Sequence, residues 1–129
     1  MKVILLTGAS SGIGFAAAQR LAEQGHCVYA AARRVAEMQP LKACGVHVLA
    51  MDVTDEASMQ AGVDTVLREQ GRIDVLVNNA GYGYFGAIEN VTMDEARRQL
   101  EVNLFGLARL TQMVLPTMRQ QHSGRIINT

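Results

Sequence analysis

Several residue types are scarce in this chain, and each scarcity excludes a class of protein. Among 129 residues there are no tryptophans, two prolines, two cysteines and three histidines. Two cysteines cannot build a disulfide framework, and no metal-ligand spacing is present, so we predict no metal site. Cys27 and Cys44 are expected to be buried or half-buried thiols in a protein of the reducing cytoplasm.

An excess of charge of either sign is also missing. Twelve basic and twelve acidic residues give a formal net charge of zero, and no long run of like charge occurs. This balance favours neither nucleic acid nor a membrane surface as a partner. No apolar run reaches the roughly 18 residues of a membrane-spanning helix. The run at residues 3–6 leads directly into glycines, so it is interpreted as a strand and not as a signal peptide.

Three glycines follow the first predicted strand in a spacing that is typical of ligand-binding loops. The predicted strand at residues 3–6 is followed by Gly8, Gly12 and Gly14 in the spacing G-x-x-x-G-x-G, and a helical pattern begins directly behind them. Gly8 permits a tight turn, Gly12 a close approach of backbone to ligand, and Gly14 close packing of helix on strand. The helix N-terminus presents unpaired N–H groups and a partial positive charge, which suit a pyrophosphate. This arrangement predicts a nucleotide-binding loop.

Strand and helix patterns alternate along the rest of the chain. A first helix is predicted at residues 11–24, a second from a Thr54 cap to Gly71, and a third from a Thr92–Glu95 capping box to about residue 118. A weakly patterned segment with Pro40 and Gly45 holds at most one short helix. Strands are predicted at residues 3–6, 27–31, 46–51, 73–77 and 125–128. This alternation predicts an α/β fold with a doubly wound parallel sheet.

Apolar residues at helical spacing predict the face that each helix buries. On the first helix this face comprises Ile13, Ala17 and Leu21, and on the second Met59, Val63, Val66 and Leu67. On the third helix it comprises Leu100, Leu104, Leu107, Thr111, Val114 and Met118.

Polar and glycine-rich segments follow several of the predicted strands. In a doubly wound sheet the ligand lies beyond the carboxyl ends of the strands, where the strand order reverses. We therefore expect the glycine loop, Arg33, Asp52 and residues 78–81 to meet on one edge of the sheet. Their convergence from distant parts of the chain indicates a ligand site more strongly than any single motif.

Five segments carry a resemblance to a known family. They are Thr-Gly-Ala-Ser-Ser-Gly-Ile-Gly at 7–14, Asp-Val at 52–53, Asn-Asn-Ala-Gly at 78–81, Val-Asn-Leu-Phe-Gly at 102–106 and Gly-Arg-Ile-Ile-Asn at 124–128. In this order, and over essentially the whole chain, they resemble the classical short-chain dehydrogenases/reductases. The resemblance implies that residues 1–129 form a dinucleotide-binding Rossmann domain, the N-terminal part of a longer single-domain enzyme and incomplete after its fifth strand.

The resemblance also implies a role for individual positions. Asp52 and Val53 would contact the adenine, and Asn103 would match the catalytic asparagine, which orients a water in a proton relay. The floor beneath the ribose and nicotinamide would comprise Asn78, Ala80 and Gly81. The cofactor pyrophosphate would be held by Gly8, Ser10, Ser11, Gly12, Ile13 and Gly14.

Purely structural alternatives exist for several of these positions. Asn78 could satisfy backbone groups at the end of a buried strand, and Asp52 could cap the turn that follows it. Asn103 could be an interior amide bonded to a neighbouring carbonyl. Tyr82, with the aromatic residues that follow it, could line a substrate entrance or only pack the loop.

The cofactor preference depends on the residue that ends the second strand. An acidic side chain there accepts hydrogen bonds from the ribose hydroxyls of NAD(H), whereas an arginine attracts the 2′-phosphate of NADP(H). This position is Ala32, followed by Arg33 and Arg34. Although Ser10 and Ser11 add no basic residue, and an arginine pair can be a solvated surface, we predict that NADP(H) is preferred over NAD(H).

Part of the family's catalytic machinery does not occur in these 129 residues. Family members carry a serine after the fifth strand and then a Tyr-x-x-x-Lys pair, in which the tyrosine is the general acid/base. The only lysines here are Lys2 and Lys42, and neither completes such a pair. We therefore expect this sequence to be a fragment that is inactive alone.

Two functions are consistent with this reading. The first is an NADP(H)-dependent oxidoreductase that interconverts a small-molecule alcohol and a carbonyl by hydride transfer, and whose long helix forms homo-oligomer contacts when complete. The alternative is a non-catalytic dinucleotide-binding module or sensor.

Overall fold

The computed structural model describes all residues, Met1–Thr129, as a five-stranded parallel sheet covered by helices. The spatial order β3-β2-β1-β4-β5 reverses beside β1, which confirms the predicted doubly wound topology. Every pairing is parallel, so all carboxyl ends of the strands lie at one edge. The strands are β1 Val3–Thr7, β2 Cys27–Ala32, β3 His47–Ala50, β4 Val75–Asn78 and β5 Arg125–Asn128.

The helical segments connect these strands. The α-helices are α1 Gly12–Glu23, α2 Glu56–Gln70, α3 Met93–Leu100 and α4 Leu107–Gln121. A π-helical segment, Glu101–Gly106, joins α3 to α4 and is called the wide turn below. Two 3₁₀ segments complete the connections, at Val35–Cys44 and Ile88–Asn90. None of the helices combines the length and the apolarity that crossing a membrane requires.

The hydrophobic core has two parts, one on each face of the sheet. On one face, α2 and α4 bury residues such as Val66 and Leu110 against Leu5 and Leu76. On the other, α1 and the segment Val35–Cys44 cover side chains that include Leu6 and Val28. Cys27 packs against the first cluster and Cys44 against the second, and both are part-buried free thiols.

The predicted buried face of α1 is partly wrong. Ile13 is 79% exposed, whereas Gly14 and Ala18 are buried. The N-terminus of α1 approaches the glycine loop so closely that only a residue without a side chain fits against it, and Gly14 takes that place. Ile13 is thereby turned toward the edge of the sheet where the strands end.

The predicted cap of α2 is off by one residue. Asp55, and not Thr54, is the N-cap, and its carboxylate accepts hydrogen bonds from the N–H groups of Ala57 (3.0 Å) and Ser58 (3.3 Å). The capping box of α3 is confirmed, because Thr92 and Glu95 exchange side-chain to backbone hydrogen bonds.

The single long helix predicted to end near residue 118 is divided in the structure into α3, the wide turn and α4, and its apolar residues do not all face the same side. Leu100 and Leu104 are each 49% exposed, whereas Leu110 and Val114 are fully buried. The wide turn uses i→i+5 bonding and so rotates the following residues by about 100° relative to an uninterrupted α-helix. The apolar residues Leu100, before the wide turn, and Leu104, within it, therefore do not share the buried face of α4.

Candidate functional site

A cavity of about 390 Å³ opens at the carboxyl edge of the sheet, between the loops that follow β1, β2, β3 and β4. It is called the cleft below. The predicted residues that line it are Gly8, Ser10, Ser11, Ile13, Arg33, Asp52, Val53, Ala80 and Gly81. Four other predicted residues, Gly12, Gly14, Asn78 and Asn103, lie outside the lining. Other residues of the lining, for which no ligand contact was predicted, include Thr7, Thr54 and Val102.

Crowding explains two glycines of the loop, and backbone conformation explains the third. A Cβ on Gly8 would lie 2.8 Å from Cα of Ala80, and one on Gly14 would lie 2.2 Å from the carbonyl oxygen of Gly8. Gly12 has open space around it but a φ of +56°, which residues with a Cβ rarely adopt. The loop is therefore pressed against both α1 and the segment that follows β4.

The start of α1 leaves its backbone donors free. Its N-cap, Ser11, makes no side-chain capping bond, and no acidic residue occupies the first turn. The first N–H groups of an α-helix have no partner within the helix. An uncapped helix N-terminus beside a glycine loop is an arrangement that binds anions.

The buried hydroxyl of Thr7 joins two loops of the cleft. It accepts hydrogen bonds from the backbone N–H groups of Asn79 (3.1 Å) and Ala80 (3.0 Å). The side-chain amide of Asn79 donates in return to the carbonyl of Gly8 (3.2 Å). The predicted meeting of the glycine loop with residues 78–81 is thus confirmed, but the role of the Thr7 hydroxyl in joining them was not predicted.

Replacing Thr7 with valine should lower the free energy of unfolding by about 2 kcal/mol, because two part-buried N–H groups lose their acceptor while the side-chain shape is kept. Urea denaturation of the purified protein measures this loss. The matched control is Thr65→Val on α2, where the hydroxyl only donates to the carbonyl of Ala61 (2.9 Å). Equal losses in the two variants would contradict the role assigned to Thr7.

Asp52 both closes its own turn and lines the cleft. Its Oδ1 accepts hydrogen bonds from the hydroxyl (2.7 Å) and the N–H (2.9 Å) of Thr54. These bonds, with a smaller contribution from the positive charge of Arg33, hold the pKa of Asp52 below its ordinary value. Asp52 therefore caps the turn that follows it and also lines the cleft, so the two predicted roles are compatible.

A cationic pair stands at the end of β2. Arg33 and Arg34 are both exposed and line the cleft beside Ala32. Arg34 forms an ion pair with Glu37 (3.2 Å), whereas Arg33 forms none. β2 ends at Ala32, which carries no carboxylate. The positive charge beside it that has no ion-pair partner is the guanidinium of Arg33.

Asn78 is buried beneath the cleft. Its side-chain amide donates to the hydroxyl of Thr111 (3.1 Å) and to Oδ1 of Asn128 (3.0 Å). These bonds tie β4 to α4 and to β5 through side-chain groups, and not through the backbone groups that the structural alternative named. Contact between Asn78 and a cofactor stays a prediction.

Asn103 lies in the wide turn and holds the loop after β4. Its Oδ1 accepts the N–H of Tyr82 (3.0 Å), and its Nδ2 donates to the carbonyl of the same residue (2.6 Å). The ring of Tyr82 meets that of Tyr84 edge-on, whereas Phe85 is 99% exposed. Tyr82 thus lines the cleft in a position that the wide turn fixes.

The family profile described as short chain dehydrogenase matches residues 2–129. Among curated proteins, 3-ketodihydrosphingosine reductase of Bacteroides thetaiotaomicron is 45% identical over 127 residues, which cover 98% of this chain and 46% of that protein. The chain thus spans about half the length of the curated relatives it matches.

Solved structures show the same fold. An alcohol dehydrogenase from the archaeon Thermococcus sibiricus, complexed with 5-hydroxy-NADP, is 34% identical with a TM-score of 0.88, covering 98% of this chain and 57% of that one. NAD⁺-bound xylitol dehydrogenase is 36% identical with a TM-score of 0.89, covering 98% of this chain and 52% of that one. Structural neighbours therefore bind either nicotinamide dinucleotide.

Proposed function

Because this chain belongs to the short-chain dehydrogenase family of oxidoreductases, we propose that its cleft binds NADP(H) and that the whole protein interconverts an alcohol and a carbonyl by hydride transfer. The observation that carries the proposal is the glycine loop, held without space for a Cβ at Gly8 and Gly14, directly before an uncapped helix N-terminus. Such a cradle matches a pyrophosphate.

We propose a contact in the cleft for each part of the dinucleotide. N–H groups of the glycine loop and of the first turn of α1 would hold the pyrophosphate. Asp52 and Val53 would lie along the adenine, and Ala80 and Gly81 beneath the nicotinamide riboside. The bound cofactor supplies a hydride to, or accepts one from, the substrate carbon.

We assign the preference for NADP(H) to the end of β2. A carboxylate there would accept bonds from the ribose hydroxyls of NAD(H), but Ala32 has no such group. Arg33 has no ion-pair partner in the protein, so its guanidinium is free for a 2′-phosphate. Arginine suits this anion because its donors match phosphate oxygens in pairs.

Replacing Arg33 with alanine should weaken NADPH binding by about 1.5–2 kcal/mol, roughly 10- to 30-fold, through loss of a charged hydrogen bond. NADH binding should change less than about threefold, because NADH has no 2′-phosphate. Isothermal titration of the purified protein with each cofactor provides both dissociation constants. Arg119→Ala, an exposed arginine at the end of α4, is the control. Equal weakening of both cofactors would refute the assignment to Arg33.

An alcohol or carbonyl substrate is supported by the names of the relatives. They include a reductase of a keto compound, an alcohol dehydrogenase and a xylitol dehydrogenase. We propose that Asn103 supports a proton relay beside this substrate while it holds Tyr82 in place. Cofactor binding by the whole protein without turnover of any alcohol or carbonyl would favour the non-catalytic alternative.

A homo-oligomer is proposed from the exposed apolar side chains around the wide turn. Leu100, Leu104 and Phe105 are each about half exposed, at 49%, 49% and 55%. Apolar groups that lie next to one another on a surface favour association. Light scattering of the whole protein tests this, and a monomeric mass would contradict it.

A further inference from the structure

The wide turn contacts two separate walls of the cleft. Asn103, within it, holds the backbone of Tyr82 by two hydrogen bonds. Gly106, at its end, is buried against the backbone of Val53. Tyr82 and Val53 both line the cleft, the first in the loop after β4 and the second in the loop after β3.

Gly106 is required by close approach and not by backbone conformation. Its φ of −62° and ψ of −46° are ordinary α-helical values that any residue adopts. A Cβ at this position, however, would lie 2.4 Å from the carbonyl oxygen of Val53 and 3.1 Å from that of Glu101. Both obstacles are backbone atoms, which cannot rotate aside as a flexible side chain can.

A second contact, next to the first, joins the start of α2 to the start of α4. Arg109, in the first turn of α4, forms an ion pair with Glu56, the first residue of α2. Val53 lies in the connection between β3 and α2, and Glu56 directly follows this connection. The connection therefore packs on Gly106 of the wide turn, and the helix that follows it is joined by charge to Arg109 of α4.

We propose that Gly106 is a positioning residue for the adenine end of the cleft. Without a Cβ, it lets the Val53 wall rest directly on the turn whose Asn103 holds the Tyr82 wall. In the sheet, β2 and β1 separate β3 from β4, so no strand pairing joins these two walls directly. The wide turn thus sets their separation. This inference rests on the proposed function, because it assumes that the cleft binds a dinucleotide.

The test compares the purified wild-type protein with Gly106→Ala, using NADPH and the adenine-end fragment adenosine 2′,5′-bisphosphate. Displacement of Val53 should weaken both ligands by the same factor, roughly tenfold or more, because the fragment contains the whole adenine end. The matched control is Gly124→Ala, whose Cβ would meet the Met118 side chain at 2.5 Å, outside the cleft. It should lower the melting temperature and leave both dissociation constants unchanged.

The possible outcomes separate this inference from the proposed function. Wild-type affinity for the fragment in folded Gly106→Ala would overturn the inference, as would weakening confined to NADPH. If Gly106→Ala does not fold, Arg109→Gln decides, because it loosens the same junction without adding an atom. It should weaken fragment binding about two- to fivefold, and unchanged binding would overturn the inference. A wild-type protein that binds neither ligand would overturn the proposed function, and this inference with it.

Discussion

Replacing Gly14 with alanine is expected to weaken NADPH binding by roughly 100-fold or more, because the new Cβ has no space and nothing near it can move. It would lie 2.2 Å from the carbonyl oxygen of Gly8 and 2.5 Å from the Asn79 side-chain nitrogen. Gly8 is itself pressed against Ala80, and the Asn79 amide is bonded to the Gly8 carbonyl. We therefore expect α1 to be displaced, together with the free N–H groups that would face the pyrophosphate.

The control for Gly14→Ala is the same substitution at a glycine with room around it. At Gly83 the nearest atom to a new Cβ is Cζ of Phe85, at 3.9 Å, which is ordinary van der Waals distance. Titration with NADPH should give Gly83→Ala the affinity of the wild type. An affinity of Gly14→Ala within about threefold of wild type would show that α1 does not have to be in this place for binding.

Replacing Asp74 with alanine should lower the free energy of unfolding by about 3 kcal/mol, the largest stability effect that we expect. Asp74 is 4% exposed, and its carboxylate accepts the N–H of Val3 (2.8 Å) and Nε of Arg72 (3.0 Å). The substitution leaves a buried N–H unpaired at the start of β1, the central strand. For a domain of this size the melting temperature should fall by roughly 10 °C.

The effect of Asp74 should depend on pH in a defined direction. Burial alone would raise the pKa of Asp74, but the hydrogen bonds from Arg72 and Val3 outweigh it and hold this pKa below the ordinary value. A carboxylate with a lowered pKa stabilises the fold at pH values above its unfolded pKa of about 3.9. That contribution is lost as the pH falls through the lower, folded pKa.

Urea denaturation of the wild type and Asp74→Ala at several pH values measures this dependence. The difference in stability should be constant from about pH 5 to 8 and should narrow below about pH 4. Asp64→Ala is the control, because this exposed carboxylate only accepts a bond from Gln60 (2.8 Å) on the same helix. A difference that stayed the same at pH 3 would contradict the role assigned to the Asp74 charge.

Features decided by neighbouring residues were predictable from the sequence. The apolar runs before Gly8 and Asn78 indicated buried strands, since such runs are typical of parallel sheets covered on both faces. The pair Thr92 and Glu95 indicated a capping box, because the two groups that bond are three residues apart. The alternation of strands and helices indicated a parallel sheet. In such a sheet the carboxyl ends of all strands lie at one edge, which is where Arg33 and the glycine loop meet.

Features decided by distant residues appeared only in the tertiary structure. Ile13 has the spacing of a core residue, but the carbonyl of Gly8 and the amide of Asn79 leave room only for Gly14 against the loop. The apolar sequence pattern continues through the wide turn, so the sequence does not reveal that the helix changes phase there. The contacts of Asn103 with Tyr82 and of Gly106 with Val53 also appear only in the structure.

The hydrogen bonds of Thr7 and Asp74 are further features that only the tertiary structure reveals. Each joins residues about seventy positions apart, from Thr7 to Asn79 and from Val3 to Asp74. The strands, the glycine loop and nine of the residues that line the cleft were predictable from the amino-acid sequence, because local spacing, hydrophobicity and family motifs indicate them. That Asn78 and Asn103 support the cleft from outside its lining followed only from the fold, because it depends on how closely separate backbone segments approach one another.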